Sequence, residues 1–236
     1  MLPSAMGRLM EKEMEALSKI ERGERPRTFV VGGAKIDTKL RLVEHLLLSG
    51  KADRVLVGGL VGLLLLKAKG VKLGEKTEKT LKKFAQYEAQ AKRIVEIGKG
   101  RLYLPSDIAY DDEGKRAEAL IEELPVDGPI LDIGINTMAL FSKFIEGSAT
   151  VVANGPMGVF ERWEFSTGTN EILMAMARCD GYTVIGGGEL GTAASFLGLE
   201  GEVDHISTGG GAMLAYLSGD KLPAIEALRE SAKLFG

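Results

Sequence analysis

Two lysines four residues apart, Lys35 and Lys39, follow a glycine pair in Gly32-Gly33-Ala34-Lys35-Ile36-Asp37-Thr38-Lys39. On a helix this spacing puts both ammonium groups on one face. Like charges so placed repel on a bare helix, but over a phosphate chain they form an electrostatic clamp. Two solvated surface lysines read equally well from spacing alone. A second segment, Asn154-Gly155-Pro156-Met157-Gly158-Val159-Phe160-Glu161, makes a rigid turn after an apolar run. Glu161 can accept hydrogen bonds from ribose hydroxyls, or it can be an ordinary surface glutamate. A third, Gly186-Gly187-Gly188-Glu189-Leu190-Gly191, fits a dinucleotide fingerprint literally. That fingerprint calls for an acid ending the next strand, and here the next strand runs into Ser207-Thr208-Gly209. Glu189 at a helix start can instead hold Mg²⁺ on a nucleotide phosphate. The amides of Ser207-Thr208-Gly209-Gly210-Gly211-Ala212 can form a nest for a developing phosphoryl charge, or the glycines can serve close helix–strand packing.

The elements that must position these groups alternate along the chain. Residues 4–20 read as an amphipathic helix with Ser4 as its N-cap. Strands are expected at 29–31, 54–57, 102–105, 130–133, 150–153, 182–185 and 205–207. Helices are expected after the first two strands and at 138–146, 169–178, 190–197 and 211–217. Residues 77–97 carry an apolar stripe of Leu81, Phe84, Ala91, Ile94 and Val95. Residues 125–129 read as a turn cluster. Strand–helix alternation of this density implies an α/β, three-layer, Rossmann-like open sheet of about six mainly parallel strands with helices on both faces. Four of the strands end in glycine-rich turns. Ligands of open α/β sheets bind at the carboxyl ends of strands, where glycine admits close approach and helix N-termini attract phosphate.

Composition excludes several classes. The 236 residues carry a net charge of −3, so no global basic field favours nucleic acid or an anionic membrane. The single cysteine, Cys179, permits no intrachain disulfide and suits a cytoplasmic location; it reads as a small core residue near a helix end. Two histidines leave little material for a zinc site or a histidine-based triad. The most apolar run, residues 55–66, is interrupted by glycines and is far short of a membrane span.

Together the glycine-rich segments resemble the phosphoglycerate kinase family. GGAKIDTK looks like its GGAKxxxK phosphate loop. GGLVGLLLLK is similar to its adenine-side segment, with Leu60 where a third glycine is usual. NGPMGVFE looks like NGPxGxFE, GGGE is similar to GGGD, and STGGGA matches directly. The pairing of NGPxGxFE with STGGGA is highly specific.

The resemblance implies ADP or ATP as substrate, Mg²⁺ as cofactor, and phosphoryl transfer between 1,3-bisphosphoglycerate and ADP. By resemblance, Gly32, Gly33, Lys35 and Lys39 meet nucleotide phosphates, with Lys39 nearest the transferred group. Gly58, Gly59 and Leu131 line the adenine slot. Asn154 sits by the phosphates, Pro156 by the nucleoside, and Glu161 holds ribose. Gly186, Gly187, Gly188, Gly209 and Gly210 offer backbone amides, those of Gly188, Gly209 and Gly210 at the catalytic position with the two lysines. Glu189 takes the metal role usually given to aspartate, and Leu190 stands where threonine is common.

The resemblance also implies three regions: 1–22, a helix of the inter-domain type; 23–219, the nucleotide-binding α/β domain; and 220–236, a tail that would return to a phosphoglycerate-binding half upstream. Without that half the chain would turn over poorly. The alternative is a non-catalytic ADP- or ATP-binding module acting with a partner chain. Helix 4–20 would expose Met6, Leu9, Met10 and Leu17, and the tail Leu222, Ile225, Leu228 and Leu234. The two ends would then self-associate or fold back onto the domain.

Overall fold

The computed structural model describes residues 3–235, so Met1, Leu2 and Gly236 of the expected terminal regions lie outside the described residues. Helix α1 spans Arg8–Arg22. The chain then runs through β1 (Arg27–Val31), α2 (Ile36–Ser49), β2 (Arg54–Val57), α3 (Gly59–Ala68), α4 (Glu75–Leu81), α5 (Glu88–Ile97), β3 (Leu102–Tyr103), β4 (Asp107–Asp112), β5 (Lys115–Leu120), β6 (Ile130–Ile133), α6 (Ile135–Glu146), β7 (Thr150–Asn154), α7 (Thr167–Ala177), β8 (Tyr182–Gly186), α8 (Gly188–Phe196), β9 (His205–Ser207), α9 (Gly210–Leu217) and α10 (Pro223–Phe235).

Six strands form one sheet in the order β3-β2-β1-β7-β8-β9, every neighbouring pair parallel. Its central strands read as unbroken apolar runs because both faces are covered. Phe29 and Val31 pack into one core with Val55, Val57 and residues of α2, α3 and α5. Val30 points the other way, into a second core with Leu56, Val151, Ala153 and residues of α6, α7 and α8. From β1 the chain moves outward through β2 and β3. It then restarts on the other side of β1 with β7 and moves outward again. The strand order therefore reverses between β1 and β7.

The expected strand at 130–133 forms, but it belongs to a second sheet. That sheet is three-stranded and antiparallel, in the order β5-β4-β6. The β4–β5 hairpin was not foreseen. Its tip, Glu113-Gly114, has φ of 49° and 90°, the turn geometry that lets two antiparallel strands meet. The stripe over 77–97 is not one helix: a 3₁₀ turn at Lys82–Tyr87 separates α4 from α5, and Phe84 has non-helical dihedrals. Helix α1 starts at Arg8 with Gly7 as N-cap, so Ser4 is not the cap. Its backbone N–H donates instead to Ser231 Oγ of α10 (2.8 Å). Cys179 lies just past α7, half-buried, with Sγ 3.2 Å from the Ile145 carbonyl.

The terminal helices fold partly back onto the domain. Leu17 was expected on the open side of α1 but is buried with Ala16 and Ile20, and α10 buries Ile225. Met6, Leu9, Leu234 and Phe235 remain exposed. This arrangement predicts a contrast along one helix. Leu17→Ala should cost about 2–5 kcal/mol by chemical denaturation, the ordinary penalty for truncating a buried leucine. Leu9→Ala should change stability by less than about 0.5 kcal/mol. Equal effects would mean that α1 does not dock as described.

Candidate active site

The carboxyl ends of β1 and β7 abut at the strand reversal. The Gly32 N–H donates to the Asn154 carbonyl (3.0 Å) and the Gly33 N–H to the Pro156 carbonyl (2.7 Å). Next to them, the Gly59 N–H donates to the Met157 carbonyl (2.8 Å). Contact this close requires glycine. Gly155 has φ of +87°, and a Cβ there would lie 2.3 Å from the Gly32 carbonyl oxygen. The turns after β1, β2 and β7 are thereby fused into one floor.

Two cavities open above that floor. One, of about 330 Å³, is apolar, with Leu63, Ile130, Leu131, Pro156, Met157 and Val159 among its walls and Glu161 in its lining. The other, of about 560 Å³, gathers charged and polar side chains and forms a polar cradle, with Lys35, Lys39, Asn154, Gly187, Gly188 and Gly210 among its walls. Gly33, Ala34 and Glu189 line both, so the apolar slot and the polar cradle are continuous. Both volumes suit a small molecule.

Lys39 is the most constrained group here. It sits in the first turns of α2, only 3% exposed, and its Nζ donates to both the backbone carbonyl (3.0 Å) and the side-chain Oδ1 of Asn154. Burial pushes its pKa down to about 7; the Glu189 carboxylate opposes that shift and the Lys35 ammonium adds to it. With Oδ1 taken by Lys39, the buried Nδ2 of Asn154 has no hydrogen-bond partner. A buried amide N–H without an acceptor costs about 1–3 kcal/mol. Lys35 is different: it is exposed and precedes the first helical turn with non-helical dihedrals. The two lysines share a cradle, but only one is enclosed.

Of the other expected residues, Gly33, Gly59, Leu131, Pro156, Glu161, Gly187, Gly188, Glu189 and Gly210 line one or both cavities. Gly32, Gly58, Gly186 and Gly209 do not. Gly58 and Gly186 are buried beneath the floor, where an added Cβ would lie 2.6 Å from Met157 Sδ and 1.9 Å from Met213 Cε. Gly32 is pressed against Pro156, and Gly209 is the residue before α9.

Sequence reasoning missed Glu13 of α1. Its carboxylate accepts from the Thr208 N–H (2.8 Å), Thr208 Oγ1 (2.9 Å) and Ser207 Oγ (2.8 Å), and lies 3.1 Å from His205 Nε2. Burial works to raise this carboxyl, but the hydrogen bonds from Ser207, His205 and Thr208 outweigh it and hold the pKa at about 2. The turn after β9 is thus tied to α1, across more than 190 residues of sequence, a distance over which no local pattern signals the contact.

The model of the phosphoglycerate kinase family matches residues 1–220. The chain belongs to the phosphoglycerate kinase family. It is 43% identical over 230 residues to a phosphoglycerate kinase of Methanopyrus kandleri, covering 96% of this chain and 57% of that one. It is 46% identical over 233 residues to phosphoglycerate kinase 2 of Methanosarcina acetivorans, covering 97% and 56%. The crystal structure of phosphoglycerate kinase from Pyrococcus horikoshii superposes with a TM-score of 0.92 at 39% identity, covering 99% of this chain and 59% of that one. The chain therefore spans a little over half the length of the family members it matches.

Glu13 gives the site a pH signature. A carboxyl depressed from 4.5 to about 2 stabilises the fold above pH 4.5, and that contribution disappears as pH falls from 4.5 towards 2. Glu13→Gln should therefore be less stable than wild type at pH 6, with the gap closing between pH 4.5 and 2. Urea denaturation across that range measures it; a gap independent of pH would show that Glu13 is not held as a carboxylate.

Proposed function

We propose that this chain is the nucleotide-binding half of a phosphoglycerate kinase, in which a nucleoside diphosphate lies with its base in the apolar slot and its phosphates in the polar cradle. The observation that carries this reading is the Lys39–Asn154 pair. The enclosed lysine and the buried amide N–H without an acceptor belong to two residues that both line the cradle, which an anion would complete. Phosphate oxygens would accept from Asn154 Nδ2, draw the Lys39 ammonium towards them, and meet the exposed Lys35. The amides at the starts of α8 and α9, from Gly187, Gly188 and Gly210, favour negative charge through the helix dipole, whereas the expected Gly209 N–H already donates to Ser207 Oγ (3.2 Å). Glu161 would hold the ribose at the slot's rim.

Magnesium fits the donor set. Glu189 is an exposed carboxylate at the junction of the slot and the cradle. Among the described residues no group of three or more His, Cys, Asp or Glu stands together. An ion there would take Glu189, phosphate oxygens and water, the usual mode for Mg²⁺. Bound in this way it would neutralise phosphate charge.

In the forward direction a β-phosphate oxygen of ADP would attack the acyl phosphate of 1,3-bisphosphoglycerate. The P–O bond to the acyl oxygen would break, giving ATP and 3-phosphoglycerate. Such transfers are accelerated by positioning and charge stabilisation rather than by covalent chemistry. Lys35, Lys39 and the glycine amides would supply part of both. The acyl phosphate would be brought by a phosphoglycerate-binding half outside this sequence, against which the exposed Met6, Leu9, Leu234 and Phe235 of the terminal helices would pack. A location in the cytoplasm fits this reading, and no helix among the described residues is long and apolar enough to cross a membrane.

Calorimetry with Mg·ADP is the direct test. Wild type should bind, and Lys39→Ala should bind Mg·ADP at least about tenfold more weakly while its affinity for adenosine barely moves, because a charged hydrogen bond is worth about 1.5–3 kcal/mol. No binding by wild type at millimolar nucleotide would end this reading. For Glu189→Gln, the gain in ADP affinity on adding Mg²⁺ should shrink while metal-free affinity stays nearly constant. An undiminished Mg²⁺ effect would remove Glu189 as the metal's partner.

A further inference from the structure

The segment that carries Glu161 lies between β7 and α7 without regular structure except a short 3₁₀ turn at Trp163–Phe165. Its first part is well anchored. Pro156 and Met157 are tied to the turns after β1 and β2, the Met157 N–H donates to Thr169 Oγ1 (3.0 Å), and the Val159 N–H donates to the Leu131 carbonyl (2.8 Å). Beyond Val159 the anchoring thins. Among the described residues, one hydrogen-bonded link leaves residues 160–162 for another element: Arg162 Nη1 donates to Asp111 Oδ2 on β4, at 2.7 Å.

Asp111 is itself held in place. Its N–H donates to the Pro129 carbonyl (3.0 Å), and its Oδ1 accepts from the Gly114 N–H at the hairpin tip (2.6 Å). Directly opposite on β5, Arg116 makes the companion contacts. It donates to Asp132 Oδ2 (2.9 Å), to the Glu164 carbonyl (3.0 Å) and to the Ile133 carbonyl (3.0 Å). The guanidinium groups of Arg162 and Arg116 both lie over the buried ring of Phe165, at 4.7 and 5.9 Å from its centroid. The hairpin thus grips the loop at two points, one on each side of Trp163. The same hairpin is hydrogen-bonded to β6, whose residues Ile130–Ile133 form a wall of the apolar slot.

We propose that the Arg162–Asp111 ion pair is a positioning element for the nucleoside end of the site, fixing the loop that carries Glu161 to the wall of the slot through the β4–β5 hairpin. Neither residue lines either cavity, so the pair acts on bound nucleoside through Glu161 and Val159. The inference rests on the nucleotide-binding reading above and adds a role for the hairpin. The polar cradle meets this segment only at its anchored start, Asn154 and Gly155, so the pair should govern affinity for adenosine and leave affinity for inorganic tripolyphosphate untouched.

The test measures adenosine and tripolyphosphate affinities by calorimetry for wild type, Arg162→Gln, Asp111→Asn and the exchanged pair D111R/R162D, with thermal melts of each. The pair is partly exposed, so the single variants should fold with little change in melting temperature. Each should bind adenosine about three- to fivefold more weakly, the scale of one partly exposed ion pair, with tripolyphosphate affinity unchanged. The exchanged pair should recover most of the loss, which general loosening of the fold would not. Unchanged adenosine affinity in the single variants would overturn the proposal. So would equal losses for both ligands, or no recovery on exchange. If wild type binds tripolyphosphate but not adenosine, the nucleoside assignment of the slot fails and this proposal with it; if it binds neither, the nucleotide reading itself fails.

Discussion

The site depends on one close approach, the meeting of the β1 and β7 carboxyl ends through glycine. Parallel strands that diverge at their ends normally leave a crevice between their following turns. Here the crevice has been closed at its base by the hydrogen bonds from Gly32 and Gly33 to Asn154 and Pro156. That closure has two consequences. It fixes Asn154 at the foot of the polar cradle, and it sets Asn154 where Lys39 of the next helix donates to it.

Electrostatics then divide the site. The slot is lined by aliphatic side chains and offers few polar partners, which suits a flat, mostly apolar base. The cradle concentrates positive potential from Lys35, Lys39 and two helix N-termini in a partly enclosed space, where each interaction is stronger than in water. Burial is unfavourable for the charged ammonium of Lys39 and pushes its pKa down to about 7. An anion in the cradle would offset that cost.

Much of this architecture was legible in the sequence. Phe29-Val30-Val31 and the apolar runs after it could only be strands covered on both faces, and their glycine-rich ends marked the sheet edge where the cavities lie. The hairpin was not legible. Lys115-Arg116-Ala117-Glu118-Ala119-Leu120 has almost no apolar alternation, because apart from Ala119 the strand is not buried. Its arginine works by reaching Asp132, a contact no local pattern announces. The two lysines looked equivalent at a spacing of four; helix α2 begins only at Ile36, which leaves Lys35 outside and Lys39 within. Ser4 looked like a cap because its residue type suits one, but Gly7 takes that place, and the serine's N–H is used to join α10. For the hairpin the missing information was a tertiary contact; for the lysines and Ser4 it was where a helix begins.

The central claim is that the Lys39–Asn154 pair is the seat of the phosphate group, and the side-chain amide resonance of Asn154 in a ¹⁵N–¹H spectrum reports on it most directly. The account predicts that ADP shifts this resonance in step with saturation, because Nδ2 gains an acceptor, and that adenosine alone leaves it in place. An Asn154 amide that stays fixed while ADP saturates the protein would contradict it.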